Sequence, residues 1–388
     1  MPVVDLFSGC GGLSKGFQNA GFDIVAAYDG WDAAIACYNA NFNHEAYKLD
    51  LNDVEQAIKT ISEHKPTMII GGPPCQEFSN AGKREEGARA DLTYKYAQII
   101  TKICPQYFVM ENVPRVRESV AYSKARELYV AAGYGLTELV LDASRCGVPQ
   151  SRKRFFCIGA MNQQDNFLLD AMFKHNSDEE ITVRSYFEAQ GLPLDIRVYY
   201  RHPTTYTRRA IFDVDSVAPT VRGVNRPKPS TYRYHEDDAA TVDERAGVRS
   251  LTARERAHIQ TFPSDFTFDI VGLSKGDKEQ MIGNAVPVLL GQYVASRIQE
   301  YIRGETTMEG FAAWLRENKQ YSDRSISDVN SRLNRALKIL PRETLDKYYI
   351  TDLEEEPEFQ SLSTSVRSQI KKAIQLKIAY LHATRKDN

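Results

Sequence analysis

Short apolar runs alternate with amphipathic stretches from the first residues through about residue 160. The runs Val3–Phe7, Asp23–Tyr28, Thr67–Ile70, Tyr107–Met110 and Phe155–Ile158 read as buried strands. Leu13–Ala20, Asp32–Asn41, Asp53–His64 and Thr93–Ile103 carry apolar positions at helical spacing, with Gly21 as a stop and Asp53 as a cap. This alternation predicts an α/β fold with a parallel sheet covered by helices on both faces. Ligands of such sheets bind beyond the carboxyl ends of the strands. Three polar clusters fall at those ends: Ser8–Gly12, Gly71–Ser79 and Glu111–Pro114.

The pattern changes between residues 185 and 248, which are rich in Arg, Tyr, Pro and Thr and lack a long helical period. Arg197–His235 holds eight Lys and Arg against Asp213 and Asp215, interleaved with Tyr199, Tyr200, Tyr206, Tyr232 and Tyr234. Arginine contacts phosphates and guanine, and aromatic rings stack on bases, so the mixture suits a nucleic-acid surface. A solvated basic face is the other reading of such a run. Helical spacing returns at Leu251–Gln260, where Thr252 and Glu255 make a capping-box pattern, and at Val286–Ile302. Residues 305–388 are mostly helical in pattern, with 14 Lys and Arg against 13 Asp and Glu, and look like a separate appendage. Trp314, Leu315, Leu333, Leu337 and Leu340 are candidates for one small core there.

Composition narrows the class. The 388 residues are 42% hydrophobic and 26% charged, which excludes a fibrous or wholly disordered chain. The net charge is −2, so any nucleic-acid footprint must be local. No apolar run is long enough to span a membrane, and the N-terminus lacks the pattern of a secretory signal. Cys10, Cys37, Cys75, Cys104, Cys146 and Cys157 show neither metal-ligand spacing nor a disulfide framework, so no metal site is expected and a reducing cytosol is.

Four segments carry candidate chemistry. The glycines of Asp5–Gly12 (DLFSGCGG) let backbone approach a ligand, although a tight turn without a ligand uses them equally well. Ser14 stands where a dinucleotide fingerprint needs its third glycine, so NAD is disfavoured. Asp29 ends the next strand, where an acid can hold a ribose, and a cofactor with a ribose but no pyrophosphate, such as S-adenosylmethionine, fits. Cys75 follows two prolines at a strand end, stiffly displayed as a nucleophile needs; a lone cysteine is more often an inert thiol. Glu111 in Glu-Asn-Val-Pro is a candidate acid, or a surface carboxylate. Arg152 and Arg154 share one face of Gln150–Arg154, to steady an acid, hold a substrate oxygen, or make a basic turn.

In order along the chain, DLFSGCGG, GGPPCQEFS, ENV, QSRKRFFCIG, RSLTARERAHIQTFP and IGNAVPVLLG closely resemble the motifs of the cytosine-5 DNA methyltransferases, over roughly Val3–Ile302. The resemblance implies a doubly wound, Rossmann-like S-adenosylmethionine-dependent methyltransferase sheet in residues 1–184. It implies a smaller irregular target-recognition domain in 185–248 and a return to the catalytic domain in 249–304; the helical C-terminal extension in 305–388 is an addition to the family pattern. It implies that Phe7, Cys10, Gly12, Asp29, Asp50, Leu92, Asn284 and Ala285 hold S-adenosylmethionine, with S-adenosylhomocysteine as product. Asp29 stands where the family often has Glu. It implies that Cys75 attacks C6 of a flipped-out cytosine, that Glu111 serves N3, that Arg154 bonds O2 and that Arg152 supports the pocket. The loop Gln76–Asp91 would close on duplex DNA, with Lys83 on a phosphate. Arg201, Tyr206, Arg208, Arg209, Arg222, Asn225, Arg226 and Arg233 are the recognition candidates, while Thr220 would position the domain.

Three other readings remain. An RNA cytosine-5 methyltransferase of the tRNA-modifying subgroup is disfavoured by the basic segment and by Ser79, where that subgroup usually has Thr. A non-catalytic regulator would be expected to lose Cys75, Glu111 or Arg154. A cofactor-binding module would dock through its C-terminal helices. The first motif begins close to Met1, which suggests a stand-alone bacterial or viral enzyme, the modification half of a restriction–modification pair with a cognate restriction endonuclease; a cytoplasmic monomer on DNA is expected. The recognition sequence is not legible.

Overall fold

The computed structural model describes residues 1–74, 91–174, 180–205, 208–303, 308–340, 345 and 348–385. Cys75, Lys83 and Tyr206 lie outside the described residues. The first half runs β1 (Pro2–Leu6), α1 (Gly12–Asn19), β2 (Asp23–Asp29), α2 (Asp32–Asn39), β3 (Ala46–Lys48), α3 (Val54–Ser62), β4 (Met68–Gly71), α4 (Asp91–Ile103), β5 (Tyr107–Asn112), α5 (Val120–Ala131), β6 (Tyr134–Asp142), β7 (Gln150–Ser151) and β8 (Lys153–Met161). A seven-stranded sheet has the order β3-β2-β1-β4-β5-β8-β6.

The sheet is not parallel throughout, as the pattern had suggested: β8 is antiparallel to both β5 and β6. The reason is the connection. Residues 143–152 join β6 to β8 without a crossover helix, and such a link can only return the chain antiparallel. The expected α/β architecture otherwise stands. Val4, Leu6, Ile69 and Phe108 pack on one face of the sheet and Val3, Ile70, Val109 and Phe156 on the other, all fully buried.

The chain continues through α6 (Leu169–Lys174), α7 (Val183–Ala189), β9 (Val198–Tyr200), β10 (Ile211–Asp213), β11 (Ala218–Pro219), β12 (Arg249–Ser250), α8 (Ala253–Ile259), α9 (Lys275–Asn284) and α10 (Val288–Ile302). Strands β10, β9 and β12 make a small sheet, and β11 pairs with β7. Residue 184 falls inside α7, and β12 completes the small sheet from beyond residue 248. The Thr252–Glu255 capping box forms at α8, and a second, Ser274–Asp277, opens α9. Helix α10 lies against α1: a Cβ on Gly16 would sit 2.5 Å from Gln292 N, so only glycine permits this approach. Residues near 284 are thereby carried back to β1.

The C-terminal helices are α11 (Met308–Lys319), α12 (Asp323–Ile339), α13 (Tyr349–Glu355), α14 (Pro357–Gln360) and α15 (Thr364–Arg385). They build two clusters rather than the single core expected. Helices α12 and α15 are long enough to serve both. Ile326, Val329 and Ala373 join Phe311, Leu315 and Trp314, whereas Leu333, Leu337, Leu340, Ile370 and Ile374 join Tyr349, Leu353 and Phe359. Leu169 of α6 is buried in the second cluster, and Asn166 Nδ2 donates to Asn334 Oδ1 at 3.2 Å. The helices are therefore docked on the preceding domain and are not a free appendage. Leu169→Ala is expected to cost about 2–5 kcal/mol in urea unfolding; unchanged stability would contradict this docking. Among the described residues no helix is long and apolar enough to cross a membrane.

Candidate active site

The turn after β1 is built on unusual backbone. Phe7, Gly9 and Gly11 take φ of 57°, 54° and 93°. A Cβ on Gly11 would lie 2.4 Å from the Phe42 ring, whereas one on Gly9 would meet nothing within 4 Å. Gly11 is thus required by packing, and Gly9 faces open space at the carboxyl end of the sheet. A left-handed Phe7 is costly and persists where the surroundings hold it. Asp29 ties two strand ends together: Gly9 N donates to its Oδ2 and Trp31 N to its Oδ1, each at 2.8 Å. Burial raises its carboxyl, and these backbone donors oppose the rise. Asp50 follows β3 exposed, and bonds from Asn52 hold its carboxyl below the usual range. Leu92 opens α4 and is buried. Asn284 is exposed and Ala285 half-buried; a Cβ on Gly12 would be 3.4 Å from Ala285 Cβ and 2.3 Å from Val286 O. The motif near residue 284 therefore abuts the first turn. Cys10 does not present its thiol there: Sγ is buried against Met281 O at 3.8 Å, and burial pushes the thiol well up.

Beneath the turn runs a chain that sequence reasoning missed. Ser14 Oγ donates to Asp5 Oδ2 at 2.6 Å, Tyr38 Oη donates to Ser14 at 2.7 Å, and His44 Nε2 lies 2.7 Å from Tyr38 Oη. Burial pushes Asp5 up to about 8, against the Ser14 bond and with the Asp29 charge adding to the rise. The folded protein keeps a proton that the unfolded chain releases near the ordinary value of 3.8. Stability is then expected to fall as pH rises from about 4 to about 8. In urea unfolding across that range, Asp5→Asn should flatten the fall; an unaltered pH dependence would contradict this protonation.

The second centre lies at the ends of β4 and β5. Glu111 is 9% exposed and Arg154 Nε sits 2.9 Å from its Oε1. A Cβ on Gly72 would be 2.9 Å from Glu111 Oε2, so the carboxylate lies directly beside the segment that leads to Cys75. Asn112 Nδ2 donates to Pro73 O at 2.9 Å and pins that segment. Burial raises the Glu111 carboxyl above its ordinary value, opposed by Arg154 and then Arg152. A carboxyl of this kind can hold and deliver a proton.

Arg152 is not placed as a catalytic group. It is 1% exposed, and its guanidinium donates to Val221 O at 2.9 Å, Gly283 O at 2.9 Å and Ala285 O at 3.1 Å. It positions three segments and adds its charge near Glu111. Gln150 and Gln260 complete the same junction: Gln150 Nε2 donates to Gln260 Oε1 at 2.7 Å, Val221 N donates to Gln150 Oε1 at 2.8 Å, and Gln260 Nε2 donates to Ile282 O at 2.6 Å. The only sequence signal for these glutamines was their place within the QSRKRFFCIG and RSLTARERAHIQTFP motifs.

The basic segment divides. Arg208, Arg226 and Arg233 are exposed. Arg209 stacks 4.3 Å over Phe212. Arg201 donates to Thr220 O at 2.8 Å, and Arg222 donates to His202 O. Asn225 cannot read adenine in this arrangement, because Nδ2 already donates to Leu251 O and Glu279 Oε1, each at 2.8 Å. The described tyrosines are not stacking platforms either. Tyr199 and Tyr200 are buried, Tyr232 Oη donates to Asp238 and Tyr234 Oη to Arg245 O. Tyr200, Tyr232 and Tyr234 pack in the small domain's own core and Tyr199 in the larger cluster with Val214, Leu251 and Phe262, which explains their alternation without invoking bases. Thr220 Oγ1 donates to Ser151 O at 2.8 Å, fastening β11 beside the strap that carries Arg154.

Comparison with known proteins adds to this geometry. A model of the C-5 cytosine-specific DNA methylases matches residues 1–300. Type II methyltransferase M.HindV of Haemophilus influenzae is 50% identical over 299 residues, covering 77% of this chain and 96% of that protein. Type II methyltransferase M.HgiDI of Herpetosiphon aurantiacus is 50% identical over 303 residues, covering 78% and 95%. Among solved structures, a prophage-encoded putative DNA modification methyltransferase of E. coli matches with a TM-score of 0.58 at 23% identity, over 78% of this chain and 99% of that one. S. pombe Dnmt2 methyltransferase also matches at 0.58, at 20% identity, with 78% and 99% covered. These likenesses support the fold, and the sequence matches go further: the chain belongs to the C-5 cytosine-specific DNA methylase family and is a cytosine-5 DNA methyltransferase.

Proposed function

We propose that the protein methylates C5 of a cytosine flipped out of duplex DNA at a specific short sequence, through a covalent bond from Cys75 to C6. The observation that carries this reading is the buried Glu111–Arg154 pair beside the segment leading to Cys75. C5 of a neutral pyrimidine is too weak a nucleophile to take a methyl group. Addition of the Cys75 thiolate at C6 gives C5 enamine character, and loss of the C5 proton with elimination of Cys75 restores the ring. Glu111 holds or protonates N3 and offsets charge as C6 is attacked. Arg154 orients Glu111 and bonds O2. Extrusion of the base is required because its reacting edge is stacked inside the duplex.

The turn after β1 fits S-adenosylmethionine. Asp5 Oδ1 and Ser8 Oγ are buried without partners, and Gly9 faces open space. Phe7, Asp29, Asp50, Leu92, Asn284 and Ala285 are the residues that would hold the cofactor, Asp29 on the ribose hydroxyls. Cys10 and Gly12 contribute backbone. When bound, S-adenosylmethionine supplies the methyl group as a sulfonium electrophile.

Residues 185–248 serve as the target-recognition domain in this reading, with Lys83, Arg208, Arg226 and Arg233 on the DNA. The Type II names of the relatives support a modification enzyme of a restriction–modification system; the reading adds a monomer on DNA, a cytoplasmic location and a cognate restriction endonuclease. A duplex carrying 5-fluorocytosine tests the chemistry, since fluorine cannot leave as the C5 proton does. A denaturant-resistant protein–DNA adduct that forms only with S-adenosylmethionine is expected, and its absence from Cys75→Ala. Turnover of unmodified DNA by Cys75→Ala would overturn the reading.

A further inference from the structure

A cleft between the small sheet and α8 takes no part in the chemistry above. Arg201, Arg222 and Arg256 line it, together with His202, Pro219 and Asn225. Arg201 lays Nε and Nη2 on Thr220 O at 3.2 and 2.8 Å. Arg256 donates to Arg222 O and pairs with Glu279, which also accepts from Asn225. Among the described residues, Glu279 is the one carboxylate bonded to any of the three guanidinium groups. Three cations thus meet one anion in a partly buried place. Burial, and after it their neighbours' charges, pull Arg201 and Arg256 down to about 10. Such a cluster is costly unless an anion completes it. Arg222 Nε is buried without a partner, a donor whose acceptor is absent.

The cleft's place narrows the anion. Thr220, whose carbonyl takes the Arg201 fork, donates its hydroxyl to Ser151 O on the strap that leads to Arg154. An anion here would therefore sit next to the strap that carries Arg154. We propose that this cleft holds one backbone phosphate of the DNA, with Arg201 and Arg222 touching it and Arg256 supplying charge from behind. The proposal rests on duplex DNA as substrate. A base edge is a poorer fit: the Arg201 fork is already committed to Thr220 O, and guanine recognition needs a free planar fork. A phosphodiester needs only charge and one or two donors.

The test is duplex binding across a salt series, with wild type, Arg222→Gln and Arg222→Lys. Loss of one phosphate contact should weaken binding about tenfold and make the slope of log K against log salt shallower by about 0.9. Arg222→Lys should keep the slope, and the methylated sequence should not change. A duplex with a single neutral methylphosphonate repeats the test from the DNA side. At one backbone position it should weaken wild type and leave Arg222→Gln unaffected. An unchanged slope in Arg222→Gln, with normal binding by wild type, overturns the phosphate site alone. So does an altered target sequence, which would make Arg222 a base reader. Failure of wild type to bind duplex at any salt overturns the substrate reading as well.

Discussion

Glu111→Gln is expected to lower the rate of methyl transfer about 10²–10⁴-fold while leaving S-adenosylmethionine binding intact. The magnitude is that of a positioned general acid or base. The substitution keeps size and one hydrogen-bonding oxygen but removes the proton that the raised carboxyl can hold for N3. It also leaves the Arg154 guanidinium, 15% exposed in its side chain, without its carboxylate. Single-turnover methylation separates the effects: the rate should fall with little change in DNA affinity. A rate within threefold of wild type (about 0.6 kcal/mol) would remove Glu111 from the chemistry. Arg154→Lys should fall in the same direction, because a point charge does not replace the planar fork.

Arg152→Ala is expected to act first on stability. It strips donors from Val221 O, Gly283 O and Ala285 O, of which Ala285 O keeps Gln260 Nε2, and an orphaned buried acceptor costs about 1–3 kcal/mol. The three carbonyls belong to the recognition segment and the cofactor loop, so both should loosen together. Urea unfolding measures the first effect. The second should appear as a raised KM for DNA and for S-adenosylmethionine, with kcat less affected, in whatever fraction stays folded. Arg152→Lys should recover part of the stability through one or two of the bonds. A variant that folds as wild type but loses kcat would instead make Arg152 part of the reacting pocket.

Much of this was legible because chemistry sits at strand ends. Each of β1, β4 and β5 is an apolar run that stops at a polar cluster, and the proposed site draws on those clusters and on Asp29 at the end of β2. Strand β6 was hidden by Thr137 and Glu138. Thr137 is fully buried because its hydroxyl accepts from Leu168 N at 3.1 Å, a partner 31 residues away. The Gln150–Gln260 pair spans 110 residues and has no local signature. The tyrosines of the small domain alternate with arginine in the same way whether they stack on bases or pack on each other. Only burial and the Asp238 and Arg245 acceptors decide. Arg152 and Arg154 look equivalent two residues apart, yet one meets carbonyls and the other a carboxylate.

Methyl transfer itself tests most directly whether Cys75 carries cytosine methylation of DNA. The purified protein is incubated with S-adenosylmethionine carrying a labelled methyl group, with mixed-sequence duplex DNA and with tRNA, beside Cys75→Ala. Bisulfite sequencing of the DNA maps 5-methylcytosine. Label in DNA at one fixed short sequence, absent from the variant, is the predicted result. Label confined to tRNA, or equal label from Cys75→Ala, would contradict it.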